Sequence, residues 1–240
     1  MSGVLMTGGS GRLGRELQAL LDLHCPPRQE LDLLDPASIE RALDRLQPDL
    51  IVHAAAYTDV ARAERDHLTC WRVNVGGTQA LVRAALKRDL PLLHISTDYV
   101  FWGDTGGYRE EDPPGPVRNY YALSKLAAEA VVVALPRYLI VRTSFRAREW
   151  PHPAAFHDLY TSQDYVDVLA PELALAIQHF GDIPIGILHL ASERRSALEL
   201  ARQRRPDVRP ASRLEAEVAL PADISLNSER WKQLKVQWTS

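Results

Sequence analysis

Three glycines at intervals of three, Gly8, Gly11 and Gly14, stand between a short apolar run and a helical pattern. Residues 3–6 read as a first strand. Residues 11–23 read as its helix, with Leu13, Leu17, Leu20 and Leu21 on one face. Glycine at this spacing permits a tight turn, close backbone approach to phosphate oxygens, and N–H groups at the helix start aimed at an anion. Glycine turns between strand and helix are also common without a ligand, but the preceding strand and the amphipathic helix supply the context that phosphate binding needs.

The rest of the chain keeps that alternation. Buried strands are predicted over residues 49–54, 91–96, 138–143 and 185–191, with a weaker second strand near residues 22–26. Asp35 and Pro36 predict an N-cap and first turn for a helix through Leu46. Further helices are predicted over residues 67–88, 119–135, 164–180 (broken near Pro171), 196–204 and 228–234. Residues 103–116, rich in Gly, Pro and charge, read as a loop. The fold class is therefore α/β: a doubly wound, Rossmann-like parallel sheet with a small C-terminal substrate-binding part. Residues 1–143 form the predicted dinucleotide-binding domain, with 164–192 returning to it; residues 144–163 and 193–240 form the smaller part.

Bulk composition narrows the function. A net charge of −3 gives no electrostatic reason to expect nucleic acid. The two cysteines, Cys25 and Cys70, are too few for a metal cluster, and no His or Cys spacing marks a metal site. No basic leader or membrane-length apolar run is present, so a cytoplasmic, reduced protein is the expectation.

A second motif supplies reactivity. Tyr121 and Lys125 are four residues apart on a predicted helix and project from one face. A free phenol titrates near pH 10 and is a poor acid–base at neutral pH. A neighbouring ammonium is expected to lower that value and fit the phenol for proton transfer to a carbonyl oxygen. Lys125 can also bond the nicotinamide ribose. Thr97 follows a buried strand, where ligands bind in open α/β sheets; its hydroxyl can hold a substrate oxygen or cap a turn. Asn74, inside the long 67–88 helix, fits a polar kink, a water relay or a solvent-facing position. After the second strand comes Arg28 rather than an acid; it can pair with a 2′-phosphate or be a solvated surface arginine, which leans the reading to NADP and leaves NAD open. Asp32 can accept from the adenine amine or cap a turn, and Ala54, Ala55 and Ala56 leave room for a cofactor beside the sheet or serve as small-residue packing.

With these residues in place, the chain resembles the extended short-chain dehydrogenase/reductases, and more closely the dTDP-4-dehydrorhamnose reductase family. The matching segments are residues 7–17, 31–35, 52–58 with Ala63 and Glu64, Asn74, 96–101 (Ser-Thr-Asp-Tyr-Val-Phe), 121–129 and 142–144, with a weaker echo over 220–234. The resemblance implies Thr97, Tyr121 and Lys125 as a catalytic trio, with NADPH or NADH as donor and a nucleotide-linked 4-keto-6-deoxysugar as acceptor. Cofactor contacts are expected at Gly8, Ser10, Gly11, Arg12, Leu13, Gly14, Arg28, Asp32, Leu33, Ala54, Ala55, Ala56, Tyr57, Asn74 and Ser96, besides Tyr121 and Lys125. Substrate contacts are expected at Thr97, Asp98, Val100, Phe101, Phe145 and Arg146. The related dehydratases carry Asp-Glu after the threonine; here Asp98 and Tyr99 follow, which disfavours elimination.

The chain departs from the family between residues 144 and 164, which are shortened and hold Phe145, Arg146, Arg148, Trp150, Pro151, His152 and Pro153. Arg146, Arg148, Arg194 and Arg195 are candidates for a diphosphate or for a solvated face, and His152 and His157 for sugar contacts. A family glutamate matching Glu16 has been linked to metal-assisted pairing of subunits; no metal is carried over to this lone carboxylate. A homodimer is allowed. Two other readings stay open: a cofactor-binding, non-catalytic regulatory or scaffold subunit, and an NAD-dependent sugar-nucleotide epimerase.

Overall fold

A computed structural model describes residues 3–216 and 219–238. In chain order its elements begin with β1 (Val4–Thr7), α1 (Arg12–Gln18), α2 (Pro36–Leu46), β2 (Leu50–His53), α3 (Val60–Ala63), α4 (His67–Trp71), a π-helical segment (Arg72–Gly77) and α5 (Thr78–Leu86). Next come β3 (Leu92–Thr97), α6 (Tyr120–Val132), β4 (Tyr138–Thr143), β5 (Phe145–Arg146), β6 (Ala154–Phe156), β7 (Tyr160–Thr161), β8 (Asp164–Tyr165) and α7 (Val166–Gln178). The chain closes with β9 (Gly186–His189), β10 (Arg195–Ser196), α8 (Ala197–Arg202), β11 (Arg209–Ala211) and α9 (Glu229–Val236).

Five strands pair in parallel in the order β1-β2-β3-β4-β9. Alternation along each strand sends side chains to two cores. Met6, Val52, Leu93 and Val141 face α1 and α7, with Leu17, Leu173 and Trp231. Leu5, Ile51, Leu92 and Ile140 face α2, α5 and α6, with Leu43, Leu81 and Val132. Helices on both faces of a parallel sheet make this a Rossmann-like α/β fold. The short pairs β10–β7, β11–β6 and β5–β8 lie outside the main sheet.

Four elements differ from expectation. The first helix stops at Gln18, because Leu20 beyond it is 47% exposed and has no core to enter. The second strand is reduced to one bridge, Leu5 to His24, on the free side of β1. The 67–88 helix is interrupted by the π-helical segment that holds Asn74. Helix α7 runs through Pro171 without a break, since Leu169, Ala170, Leu173, Ala174 and Ile177 pin it to the sheet on both sides of the proline. Asp35 caps α2 by accepting from Ala37 N, as Asp-Pro predicts.

Candidate active site

The carboxyl ends of β1 to β4 open into a groove of about 1000 Å³. One wall is the glycine turn. Gly8 sits at φ +79°, and a Cβ there would lie 2.7 Å from Ala55 N. At Gly14 a Cβ would lie 2.5 Å from Gly9 Cα, so the turn and the helix start are locked together only because no side chain intervenes. Gly11 is the N-cap of α1 and brings no side-chain acceptor, which leaves the first-turn amides of Arg12 and Leu13 to an anion. This close-packed cradle and a groove of this size fit a dinucleotide.

Gly8, Ser10, Gly11, Arg12, Leu13 and Gly14 line the groove, as do Arg28, Asp32 and Leu33 at its far end and Ala54, Ala55 and Ala56 at the end of β2. Exposed Arg28 pairs with Asp32 at 3.4 Å, so the Asp32 carboxylate is shared between that cation and Leu34 N. The opposite wall carries Ser96, Thr97, Asp98, Tyr121, Lys125, Ser144 and Phe145. The structure thus brings Thr97, Tyr121 and Lys125 to the same groove as the glycine turn.

Each of these groups has a defined electrostatic setting. The Thr97 hydroxyl donates to Asp98 Oδ1 at 3.1 Å and accepts from Tyr99 N, capping the short turn of residues 98–100. Burial pushes the Asp98 carboxyl up to about 7, against hydrogen bonds from Thr97 and Ser144. Tyr121 packs edge-on to Tyr99 at 6.4 Å. Burial first, and then the neighbouring Asp98, push the Tyr121 phenol above its ordinary range. This overturns the expected lowering by Lys125, whose ammonium spends two of its donors on β3, on Ile95 O at 2.7 Å and His94 Nε2 at 3.0 Å. Burial brings Lys125 down to about 8, with Glu129 opposing.

Five expected contacts, Tyr57, Asn74, Val100, Phe101 and Arg146, do not line the groove. Val100 and Phe101 are buried with Leu226 and Tyr108, and Phe101 stacks on Tyr108 at 4.3 Å, so these apolar side chains serve a local core. Arg146 is held sideways by Gln163 at 2.5 Å and lies 4.1 Å over the Trp150 ring; Gln163 lines the groove in its place. Asn74 is buried, neither solvent-facing nor at the groove. Its Oδ1 accepts from Tyr57 N at 2.7 Å, and its Nδ2 donates to Ser124 Oγ at 2.9 Å and Tyr57 O at 3.2 Å. Tyr57 and Asn74 together clamp the loop after β2 to α6. Ser96 reaches the groove, but its hydroxyl donates to Glu129 at 2.5 Å.

The remaining arginine candidates are engaged inside the chain. Arg148 grips Glu16 through two bonds of 2.7 and 2.6 Å, which occupies the carboxylate linked in the family to metal. Arg194 pairs with Asp223 and lies over Tyr160, and Arg195 pairs with Asp164. His152 packs edge-on to Trp150, and His157 donates its backbone N–H to Ala211 O. Among the described residues no group of three or more His, Cys, Asp or Glu could hold a metal.

Sequence reasoning missed a polar seam behind the site. His53, His94, Ser96 and Arg142 occupy alternate positions that face α5 and α6 through the sheet. Ala55 N donates to Thr7 Oγ1, which bonds His53 Nδ1 at 2.8 Å; His53 Nε2 meets Thr78 Oγ1 at 2.9 Å, and Thr78 donates to Asn74 O at 2.6 Å. Because the Thr78 proton goes to Asn74 O, His53 Nε2 carries the donor; burial keeps the ring neutral, so Nδ1 accepts from the Thr7 hydroxyl. Further along, Arg142 and Glu129 form a buried ion pair at 2.8 Å. The available signal was period two: a His at the same parity as Ile51 or Leu92 faces the same helices.

Fold and site together define the extended short-chain dehydrogenase/reductase class. Within that class, residues 1–170 match the family described as RmlD substrate binding domain, and the chain belongs to that family. The dTDP-4-dehydrorhamnose reductase of Aggregatibacter actinomycetemcomitans is 32% identical over 203 residues, covering 80% of this chain and 68% of that protein. The dTDP-4-dehydrorhamnose reductase of Mycobacterium tuberculosis H37Rv is 39% identical over 153 residues, 59% of this chain, and the match spans 49% of its length. The crystal structure of dTDP-4-dehydrorhamnose reductase from Bacillus anthracis, in complex with NADP, superposes with a TM-score of 0.86 at 27% identity, covering 97% of this chain and 92% of that one.

Proposed function

We propose that this chain reduces a nucleotide-linked 4-keto-6-deoxysugar, of the dTDP-4-dehydrorhamnose type, with NADPH as preferred donor and NADH open. The observation that carries the reading is the single groove shared by the glycine turn and by Thr97, Tyr121 and Lys125. The names of the relatives and the NADP in the Bacillus anthracis structure support it.

When bound, the reduced nicotinamide dinucleotide supplies the hydride. The chain's own residues do the rest. The turn at Gly8–Gly14 would hold the pyrophosphate, and Arg28 at the groove's far end would meet a 2′-phosphate. Tyr121, kept neutral by burial and by Asp98, holds a proton ready for the ketone oxygen. The Thr97 hydroxyl, once its proton turns from Asp98 to the groove, would orient that oxygen, and the third Lys125 N–H would bring positive charge to the developing alkoxide. We assign residues 1–143 and 164–192 to cofactor binding, and 144–163 and 193–240 to the sugar nucleotide. No helix among the described residues is long and apolar enough to cross a membrane, and two free thiols suit a reducing cytoplasm. A homodimer is the assembly to test, by sedimentation.

The test is oxidation of NADPH and NADH in the presence of dTDP-4-dehydrorhamnose and related ketones. Ketone-dependent loss of NADPH supports the reading. NADPH binding without oxidation across the panel rejects it in favour of a non-catalytic subunit, and sugar epimerisation without net loss of reduced cofactor rejects it in favour of an epimerase.

A further inference from the structure

We infer that His94 is a positioning residue for Lys125, fixing the ammonium through a hydrogen bond from β3 so that one N–H is left for the groove. This rests on the role given above to Lys125.

The geometry begins with donor count. An ammonium has three N–H donors. One goes to Ile95 O at 2.7 Å and a second to His94 Nε2 at 3.0 Å, both from β3. Two anchors from one strand stop rotation about the terminal bond of the side chain. The third donor belongs to the groove that Lys125 lines. An ammonium turned freely by a flexible four-carbon stem would lack this orientation.

The histidine is built for acceptance. To take a bond from Lys125, His94 must be neutral, with its proton on Nδ1. That Nδ1 is buried and finds no partner among the described residues. An unsatisfied buried donor weakens a fold, so the ring keeps this orientation for its other nitrogen. His53 stands behind it, with ring centroids 5.1 Å apart, and is itself held neutral between two threonines. The groups around the ammonium are thus His94 and His53 from the strands, with Tyr121 and Glu129 one turn before and after it on α6. Glu129 is committed to Arg142 and Ser96. Among the described residues no carboxylate bonds the ammonium, and His94 is the side chain that does.

Nitrogen NMR of the lysine-labelled protein tests this directly, because the chain has only four lysines, Lys87, Lys125, Lys232 and Lys235. The Lys125 resonance is assigned by its loss in Lys125→Met. His94→Phe keeps ring bulk without an acceptor, and is expected to lower the Lys125 titration midpoint by about one pH unit (a tenfold change in proton affinity). His94→Gln restores an acceptor and is expected to bring the midpoint back. In the unmodified protein labelled at histidine, the His94 Nε2 resonance, assigned by its loss in His94→Gln, is expected to follow the Lys125 titration, a readout that survives if the phenylalanine variant does not fold. A midpoint unmoved by His94→Phe, or a His94 Nε2 signal indifferent to Lys125, overturns the inference. Neither readout needs turnover, so loss of the reductase reading and loss of this one are told apart.

Discussion

Placing a methyl group on Gly8 tests the cofactor cradle at its tightest point. Gly8 has φ +79°, and its added Cβ would meet Ala55 N at 2.7 Å and the Ala54 carbonyl carbon at 2.9 Å. Left-handed backbone costs a non-glycine residue roughly 1–2 kcal/mol, and forcing a methyl into packed surroundings adds roughly 1–3 kcal/mol. Both obstructing atoms are backbone at the end of β2, so the turn must move and the two effects sum to about 2–5 kcal/mol. Since 1.4 kcal/mol is tenfold in affinity, NADPH binding should weaken at least about 30-fold if the strain falls on the bound turn. Gly11 supplies the control. Its φ of −73° is ordinary and its Cβ would lie 3.1 Å from Gly8 O, so Gly11→Ala should lose much less. Calorimetric titration with NADPH, with a thermal melt of each variant, reads both effects. A Gly8→Ala protein that binds within threefold of the parent, with an unchanged melt, refutes the reasoning.

Two further outcomes follow from the buried seam. Glu129→Leu strands the Arg142 guanidinium, which is 1% exposed, and should cost about 3–5 kcal/mol in urea unfolding; the double replacement Glu129→Leu with Arg142→Leu should recover much of it. In the seam His53 is held by burial down to about 3 and His94 is likewise depressed; His189, buried at the end of β9, is held down to about 4. Their neutral forms stabilise the fold above the unfolded value near 6.5, and that stability is lost as pH falls through the folded values. The melting temperature should therefore drop between pH 6.5 and 4, and the slope should flatten in His53→Asn. Asp98, raised to about 7, acts in the opposite sense: its stabilisation is present at acid pH and lost as pH rises from about 4 through 7. Asp98→Asn should accordingly gain on the parent above pH 7 and not below pH 4, in the same melts.

Much of the fold was legible because periodicity carries it. The apolar runs at residues 49–54 and 138–143 appear as β2 and β4, and the Asp35-Pro36 signal begins α2 where expected. What local pattern could not reveal came from tertiary contact. Pro171 reads as a breaker, yet apolar neighbours on both sides hold α7 straight. Residues 22–26 read as a strand, yet only His24 pairs. The site divides in the same way. Glycine spacing and Tyr-x-x-x-Lys are sequence-local, and both border the groove. Val100 and Phe101 adjoin Thr97 in sequence, but the short turn after Thr97 rotates them into a separate core with Leu226. Lys125 was expected to act on Tyr121 along the helix; His94, thirty-one residues earlier on β3, takes its ammonium between helix and sheet instead.

The measurement closest to the central claim is the turnover of Tyr121→Phe with NADPH and a keto-sugar nucleotide, beside calorimetric binding of NADPH. Removal of the phenolic proton should lower kcat by about 100-fold or more, while cofactor affinity stays within a few-fold of the parent. Full turnover in that variant would contradict the account.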